Sequence, residues 1–362
     1  MNLKTYTAFV DYSKAFDRVS RDLLWKKLEK LGLRGKFLQA VKSLYHNVEC
    51  SVRLNGVMTD WFNVETGLKQ GCLISPLLFS LYLNDFCDDI QNLNLGVPVG
   101  EESLSMLLYA DDVCLIAETE MDLQRMLDAL HSWCIRWKLQ VNYQKTQVVH
   151  FRCGPSIPRT EYPFKCGPAS LSVVEKYRYL GLVFTEFLDF NIMVKAVTQA
   201  AHRALGLLIA KDKSHGGMPF SCFSKLFDQL VQPIIDYGAG IWGHKSYATV
   251  NSVQYRAARY YLGVGPKTPL AFLYGETGWR QPQHRIWLSV IKQWRRLVNM
   301  DSSRLNKRTF LWAQTKRNFL SHITSFMEAL NVGHLLTNET GITARDAATQ
   351  LNPALDRYFQ EI

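Results

Sequence analysis

Two adjacent acids stand between two apolar runs in the first half of the chain. Leu104–Leu108 and Val113–Ala117 read as strands, and Tyr109-Ala110-Asp111-Asp112 is the hairpin tip that joins them. This arrangement constrains the fold. Neighbouring carboxylates repel, and the end of a core-forming hairpin is a costly place for them. A divalent cation removes the conflict. A third acid, Asp11, closes the apolar run Thr5–Asp11, which also reads as a strand. If the two strands are neighbours, three carboxylates converge. Two Mg²⁺ ions about 4 Å apart could then activate an attacking oxygen and stabilise a departing phosphate. The plainer alternative is a solvated Asp-Asp turn with Asp11 as an unrelated strand end.

Short strands and helices alternate around these acids. Ser20 can cap a helix from Arg21 to Leu31, with Leu24, Leu28 and Leu31 on one face and Gly32 as its stop. A second helix runs from Gly35 to Tyr45. Cys50–Leu54, Asn55-Gly56 and Trp61–Glu65 form a hairpin by turn chemistry. Ser75-Pro76 supplies a cap and an N1 proline for a helix over Leu77–Ile90. In Glu120–Trp137, apolar residues recur at three- and four-residue steps, the mark of a helix. Gln147–Phe151 is another strand, the Pro- and Gly-rich residues 152–170 read as a linker-like loop, and Tyr177–Phe184 returns to strand. After Phe190 the pattern is helical, at 191–210, 220–235, 247–262 and 283–299. The expected class is α+β: a mixed, antiparallel-rich sheet with packed helices, followed by an all-α half.

Composition excludes several classes. The 362 residues are 47% hydrophobic and 20% charged, which rules out disorder. No run of 18 apolar residues predicts a membrane span, and Met1–Val10 lacks the pattern of a secretory signal. The eight cysteines contain no Cys-x-x-Cys pair, so buried free thiols in a reducing, intracellular compartment (cytoplasmic or nuclear) are expected. No two of the nine histidines are four residues apart, which argues against a zinc hydrolase. The net charge of +10 is unevenly placed: −2 over residues 1–150, +1 over 151–190 and +11 over 191–362. A near-neutral half joined to a basic half suggests a reaction centre beside a surface for a polyanion. In the basic half, Trp242, Trp279, Trp287, Trp294 and Trp312 stand among Arg256, Arg259, Arg285, Lys292, Arg295, Arg296, Lys307 and Arg308. Most of the tryptophans are expected in a helical core, with the basic side chains free to follow phosphates along a duplex.

Five segments carry a resemblance. Phe9-Val10-Asp11-Tyr12-Ser13-Lys14-Ala15-Phe16-Asp17 resembles motif A of reverse transcriptases. Gly67-Leu68-Lys69-Gln70-Gly71-Cys72-Leu73-Ile74-Ser75-Pro76-Leu77-Leu78-Phe79 resembles motif B, and Tyr109-Ala110-Asp111-Asp112 motif C. Trp137–Asn142 with Lys145-Thr146 is similar to motif D, and Tyr179-Leu180-Gly181 to motif E, the primer grip. They follow the family's order and spacing over residues 5–184. Ser-Lys-Ala-Phe-Asp (13–17) and Tyr-Gly-x-Gly-Ile-Trp-Gly (237–243) resemble non-LTR, LINE-like elements more than retroviruses.

The resemblance implies an RNA-directed DNA polymerase acting on an RNA template, a DNA primer and dNTPs. Asp11, Asp111 and Asp112 would be the catalytic carboxylates and the ligands of two Mg²⁺ ions, with Mn²⁺ as a substitute. The Tyr12 carbonyl would be an extra ligand. Phe16 would exclude a 2′-hydroxyl, Gln70 and Gly71 would contact the incoming nucleotide and template, and Lys145 would stand near the leaving pyrophosphate. Leu180 and Gly181 would support the primer end. By the same resemblance, residues 1–188 would be the palm with the fingers largely missing, 189–300 a helical thumb and 301–362 a helical connection. The chain starts just before motif A, so it is expected to be a fragment that polymerises poorly. The competing reading is a nucleic-acid-binding relic without polymerisation. A nucleotidyl cyclase is disfavoured, since the Gly-Gly-Asp/Glu-Glu-Phe signature is absent. The sequence leaves the oligomeric state open.

Overall fold

A computed structural model describes residues 4–316, 321–337 and 339–360. The chain divides into two compact units, Met1–Leu188 and Asp189–Ile362. The first is α+β and the second is helical, the class the sequence predicts.

The first unit is built on a five-stranded sheet. Its central strand, Lys4–Val10, pairs antiparallel with Gln147–Arg152 on one side and Asp112–Ala117 on the other. Met106–Tyr109 extends the sheet beyond Asp112–Ala117, and Ser172–Val174 pairs parallel with Gln147–Arg152 at the opposite edge. Tyr6 through Val10 are all buried, so this strand is covered on both faces. On one face Tyr6, Ala8 and Val10 join Val113, Leu115 and Val148 against the helices Arg21–Lys30, Ser75–Gln91 and Glu120–Trp137. Those helices send in Leu24, Leu28, Phe79, Tyr82, Phe86, Leu127, Leu130 and Trp133. Each such side chain contributes about 1.5–3 kcal/mol by leaving water. On the other face Phe9, Cys114 and Val149 meet Tyr177 and Tyr179, with the Phe9 and Tyr177 rings stacked at 4.5 Å.

Several local expectations need correction. Ser20 holds the N-cap position of Arg21–Lys30, but its side chain makes no capping bond. Ser75 is the first helical residue rather than the cap. Its hydroxyl donates to the Lys69 carbonyl at 2.7 Å and meets the Tyr45 hydroxyl at 3.1 Å. Tyr177–Phe184 is not one strand but the hairpin Lys176–Tyr179 and Leu182–Thr185. Leu180 and Gly181, at φ 47° and 79°, form its tip, as two-residue hairpin turns require. Residues 152–170 are not a linker. Phe164 and Cys166 are fully buried in the core, and Arg152 and Arg159 both pair with Glu186, at 2.7 and 2.9 Å. Of the eight cysteines, Cys114, Cys134 and Cys166 are buried, while Cys50, Cys153 and Cys222 are exposed.

In the second unit, Asn191–Ser214 buries one face through Met193, Val194, Val197, Ala201, Leu205 and Leu208. This helix is long and apolar enough to cross a membrane by length and composition, against the sequence expectation. It also buries one stripe inside the second unit and carries Lys195, Arg203, Lys211 and Lys213. The expected helix 220–235 is interrupted by a π-helical turn at Phe227–Val231, between Phe220–Leu226 and Gln232–Asp236. Ala248–Leu262, Pro282–Val298 and Ala344–Gln360 are the other long helices among the described residues. Trp242, Trp287 and Trp294 are core residues. Two basic residues are corrected. Arg295 is fully buried, its guanidinium donating to the carbonyls of Leu335, Thr337, Glu339 and Ile342. Lys307 is buried and donates to the Val298 carbonyl at 2.6 Å. Both serve the fold and are not free for phosphates.

Candidate active site

Sheet register places the acids. Val10 stands opposite Val113 and Tyr109 opposite Asp112. Asp11, one residue past Val10, therefore lies at the same end of the sheet as Asp112, one residue before Val113. Asp111 lies in the two-residue turn, where Ala110 takes a left-handed φ of 53°, rare for a residue with a side chain. Burial raises the Asp112 carboxyl above the usual range, and the charges of Asp111 and Asp11 raise it further. The charges of Asp111 and Asp11 thus act on Asp112. Among the described residues, no group of three or more His, Cys, Asp or Glu side chains is placed so that it could hold a metal ion, these three acids included. The set is all oxygen and partly solvent-exposed, the donor chemistry that suits Mg²⁺ with retained waters.

The turn after the Glu120–Trp137 helix is sewn to Asp11. The Asn142 N–H donates to the Asp11 carbonyl at 2.7 Å, and the Asp11 N–H donates to Thr146 Oγ1 at 3.2 Å. Ser13 N–H reaches the Gln140 carbonyl at 2.8 Å, and Tyr12 bridges Val141. This brings Lys145 Nζ to 4.0 Å from Asp11 Oδ2. The Tyr12 ring is buried in the core, so only its backbone can face the acids.

Phe16, Gln70 and Gly71 gather on a second loop pair. The Phe16 ring stacks on Phe79 of the Ser75–Gln91 helix at 4.7 Å. Gln70 Nε2 donates to Asp17 Oδ1 at 3.1 Å on the surface. Gly71, at φ 83°, faces open space. Gly67 shows why the loops meet: a Cβ there would stand 2.7 Å from the Asp17 carbonyl oxygen, so only glycine permits the approach. Leu180 and Gly181 stand at a hairpin tip whose tyrosines pack under Phe9. The Tyr177 hydroxyl is raised by burial first, then by the charges of Asp11 and Asp112.

Two contributors escaped the sequence reading. Arg21 donates to the carbonyls of Val64 (2.7 Å), Gly67 (2.9 Å), Thr66 (3.2 Å) and Tyr45 (3.3 Å), tying down the segment that leads into Gln70 and Gly71. Thr146 anchors Asp11. Nothing in the spacing marks Arg21, because its partners are backbone carbonyls 24 to 46 residues away. Thr146 was signalled only as the residue after Lys145.

The family described as "Reverse transcriptase (RNA-dependent DNA polymerase)" matches residues 1–184, just over half of the chain. The chain belongs to the reverse transcriptase family. Among relatives, this chain is 28% identical over 253 residues to a probable RNA-directed DNA polymerase from transposon BS of Drosophila melanogaster. That match covers 68% of this chain and 27% of the relative. It is 25% identical over 268 residues to the RNA-directed DNA polymerase from mobile element jockey of Drosophila funebris, covering 70% and 27%. A Pol polyprotein from the type-2 retrotransposable element R2DM of Drosophila melanogaster is 30% identical over 186 residues, covering 50% and 18%. The chain is thus related to the reverse transcriptases of non-LTR elements, and it spans about a quarter of the length of the first two relatives. Apo telomerase from Candida tropicalis aligns over 98% of this chain and 53% of its own, with a TM-score of 0.41 and 12% identity.

Proposed function

We propose that this chain supplies the polymerising centre of an RNA-directed DNA polymerase of a non-LTR element, extending a DNA primer on an RNA template from dNTPs in the cytoplasm or nucleus. The observation that carries the reading is the grouping of Asp11, Asp111 and Asp112 at one end of the sheet, close enough that two of the charges raise the third group's pKa. Such mutual repulsion is relieved by cations.

In this reading Asp11, Asp111 and Asp112 hold two Mg²⁺ ions, with Mn²⁺ able to replace them, and the Tyr12 carbonyl adds an oxygen. When bound, the ions neutralise charge on the transferred phosphoryl group and lower the pKa of the attacking hydroxyl. The protein residues then position the reactants, which is most of what phosphoryl transfer asks of a protein. Phe16, held against Phe79, closes the space that a ribose 2′-hydroxyl would need. Gln70 and Gly71 line the nucleotide and template path, with Gly71 leaving room for close approach. The Lys145 ammonium offsets charge on the departing pyrophosphate. Leu180 and Gly181 seat the primer end.

The test is primer extension on an RNA template with Mg²⁺, for this chain and for a version extended upstream, each beside its Asp111→Asn variant. The substitution is expected to lower the rate at least about a hundredfold, a loss of roughly 3 kcal/mol of transition-state stabilisation. Extension unchanged by Asp111→Asn, or none from the extended version, would refute the assignment.

A further inference from the structure

Residues 152–170 leave the sheet at Arg152 and are tied back at several points. The Arg152 guanidinium donates to the Ile157 carbonyl, the Thr160 N–H donates to His150 Nδ1 at 3.1 Å, and Phe164 and Cys166 are fully buried. Ordering a segment this firmly costs more entropy than a plain connector needs to lose. What the segment presents is Arg159. Its guanidinium forks onto the Glu186 carboxylate, with Nε 2.9 Å from Oε2 and Nη2 3.0 Å from Oε1. The same Nη2 lies 3.1 Å from Glu175 Oε1. Arg152 Nη2 pairs with Glu186 Oε2 at 2.7 Å, so one carboxylate holds two guanidinium groups.

Glu175 and Glu186 flank the open end of the hairpin Lys176–Tyr179 and Leu182–Thr185. The Glu186 N–H donates to the Glu175 carbonyl and the Arg152 N–H to the Glu186 carbonyl, both at 2.8 Å. The ion pairs therefore clamp the base of the hairpin. Tyr177 and Tyr179 support its middle by packing on Phe9, two residues before Asp11. The Arg152 and Glu186 side chains are only 7% and 9% exposed, so salt screens their attraction little. Burial alone would push the Glu186 carboxyl up, but the hydrogen bonds and charges of Arg159 and Arg152 hold it below the usual carboxylate range. It stays ionised, and a forked guanidinium fixes its direction as well as its distance.

We propose that Arg159 is a positioning residue for polymerisation: through Glu186 it fixes the tilt of this hairpin, and so the place where a primer end seated at Leu180 and Gly181 meets Asp11, Asp111 and Asp112. The inference rests on the proposed function, in which the hairpin tip seats the primer. Geometry supplies the leverage. Gly181 is five residues from Glu186, about 17 Å along an extended strand. A tilt of about 3° at the base then moves the tip by about 1 Å, and a misplacement on that scale can slow a reaction about a hundredfold. Arg159 acts only through Glu186 and the hairpin, and the excursion 152–170 is the strut that carries it.

The experiment is pre-steady-state addition of one nucleotide to a labelled primer on an RNA template with Mg²⁺, using whichever of this chain and its upstream-extended version extends a primer. The amplitude counts the molecules that fold and load, and the rate reads the geometry within them. Arg159→Met should slow the rate at saturating dNTP at least about tenfold and change half-saturation by dNTP less than about twofold. Arg159→Lys should recover part of the rate, since an ammonium restores the charge but not the fork. Arg125→Met, which removes a surface pair with Asp122 in the same unit, should leave the rate unchanged. Hydrogen exchange without substrates gives a second readout: amides of residues 178–183 should exchange faster in Arg159→Met, while those of Thr7–Val10 keep their rates. A loss confined to the amplitude would make Arg159 a folding residue only and would overturn the proposal. So would equal rates, equal exchange in the hairpin, or an equal slowing by Arg125→Met. No extension by the unchanged protein in either form would overturn the polymerase reading and this inference with it, whereas extension that Arg159→Met leaves intact overturns the inference alone.

Discussion

Lys145 Nζ lies 4.0 Å from Asp11 Oδ2, across a turn that is itself hydrogen-bonded to the Asp11 backbone. The lysine is 71% exposed and the aspartate 31%. Such a pair is worth at most about 1 kcal/mol to stability. In the proposed function its value is local, because the ammonium would compete with a divalent cation for the same carboxylate. Lys145→Met should therefore change unfolding free energy by less than about 1 kcal/mol. It should also lower the Mg²⁺ concentration at half-maximal activity while slowing nucleotide incorporation about tenfold or more, by loss of charge at the leaving group. A metal titration of single-nucleotide incorporation measures both effects.

Arg21 should be a stability determinant out of proportion to its place on the surface of a helix. Its guanidinium serves four carbonyls, of Tyr45, Val64, Thr66 and Gly67. Arg21→Ala should cost about 2–4 kcal/mol, since charge-assisted bonds are each worth about 1.5–3 kcal/mol and are not additive. Arg21→Lys should recover less than half, because an ammonium cannot span the same fork of acceptors. Urea denaturation gives the energies, and hydrogen exchange over residues 64–71 should show the loop loosening.

Gly67 and Gly71 share a φ of 83° but differ in surroundings. Alanine at either pays the left-handed penalty of about 1–2 kcal/mol. At Gly67 the new Cβ would also strike the Asp17 backbone at 2.7 Å. Gly67→Ala should thus be clearly the more destabilising of the two, and it should break the Gln70–Asp17 hydrogen bond. Gly71→Ala should fold and show its defect in the KM for dNTP. Thermal melting beside steady-state kinetics separates the two cases.

These residues show what the sequence could and could not display. Local chemistry was legible: Asn55-Gly56 turns a hairpin, and the apolar steps of Glu120–Trp137 are a helix. The acidic tip was legible because charge next to apolar strands is anomalous. What escaped depends on distant backbone. Ser75 was read as a cap, but its hydroxyl has better partners in Lys69 and Tyr45. The Pro-rich 152–170 segment read as a linker, because Phe164 and Cys166 are too few to form a period yet suffice to anchor it in the core. Arg295 read as a phosphate ligand, since a buried arginine that satisfies carbonyls 40 to 47 residues away leaves no local pattern.

Lys27 sets a pH dependence. Its ammonium is buried, donates to Asp85 Oδ1 at 2.5 Å and lies 3.6 Å from the Trp137 ring centroid. Burial lowers its pKa from 10.5 to about 8, with the Asp85 hydrogen bond and charge opposing. Between these values the unfolded chain binds more protons at Lys27 than the folded one. Stability from this group therefore rises with pH through the window and is lost as pH falls through about 8. Guanidinium denaturation should show the unchanged chain gaining stability relative to Lys27→Met across that window. Parallel curves would mean that Lys27 titrates normally.

The central claim is that Asp11, Asp111 and Asp112 together hold divalent cations. Equilibrium binding of Mn²⁺, followed by electron paramagnetic resonance on the unchanged chain and on Asp11→Asn, Asp111→Asn and Asp112→Asn, tests it most directly. The account predicts saturable binding to the unchanged chain, displaced by Mg²⁺ and weakened at least about tenfold by each substitution, the scale of a lost ligand or charge. Binding of equal strength in all four chains, or none in the unchanged chain with template, primer and dNTP present, would contradict it.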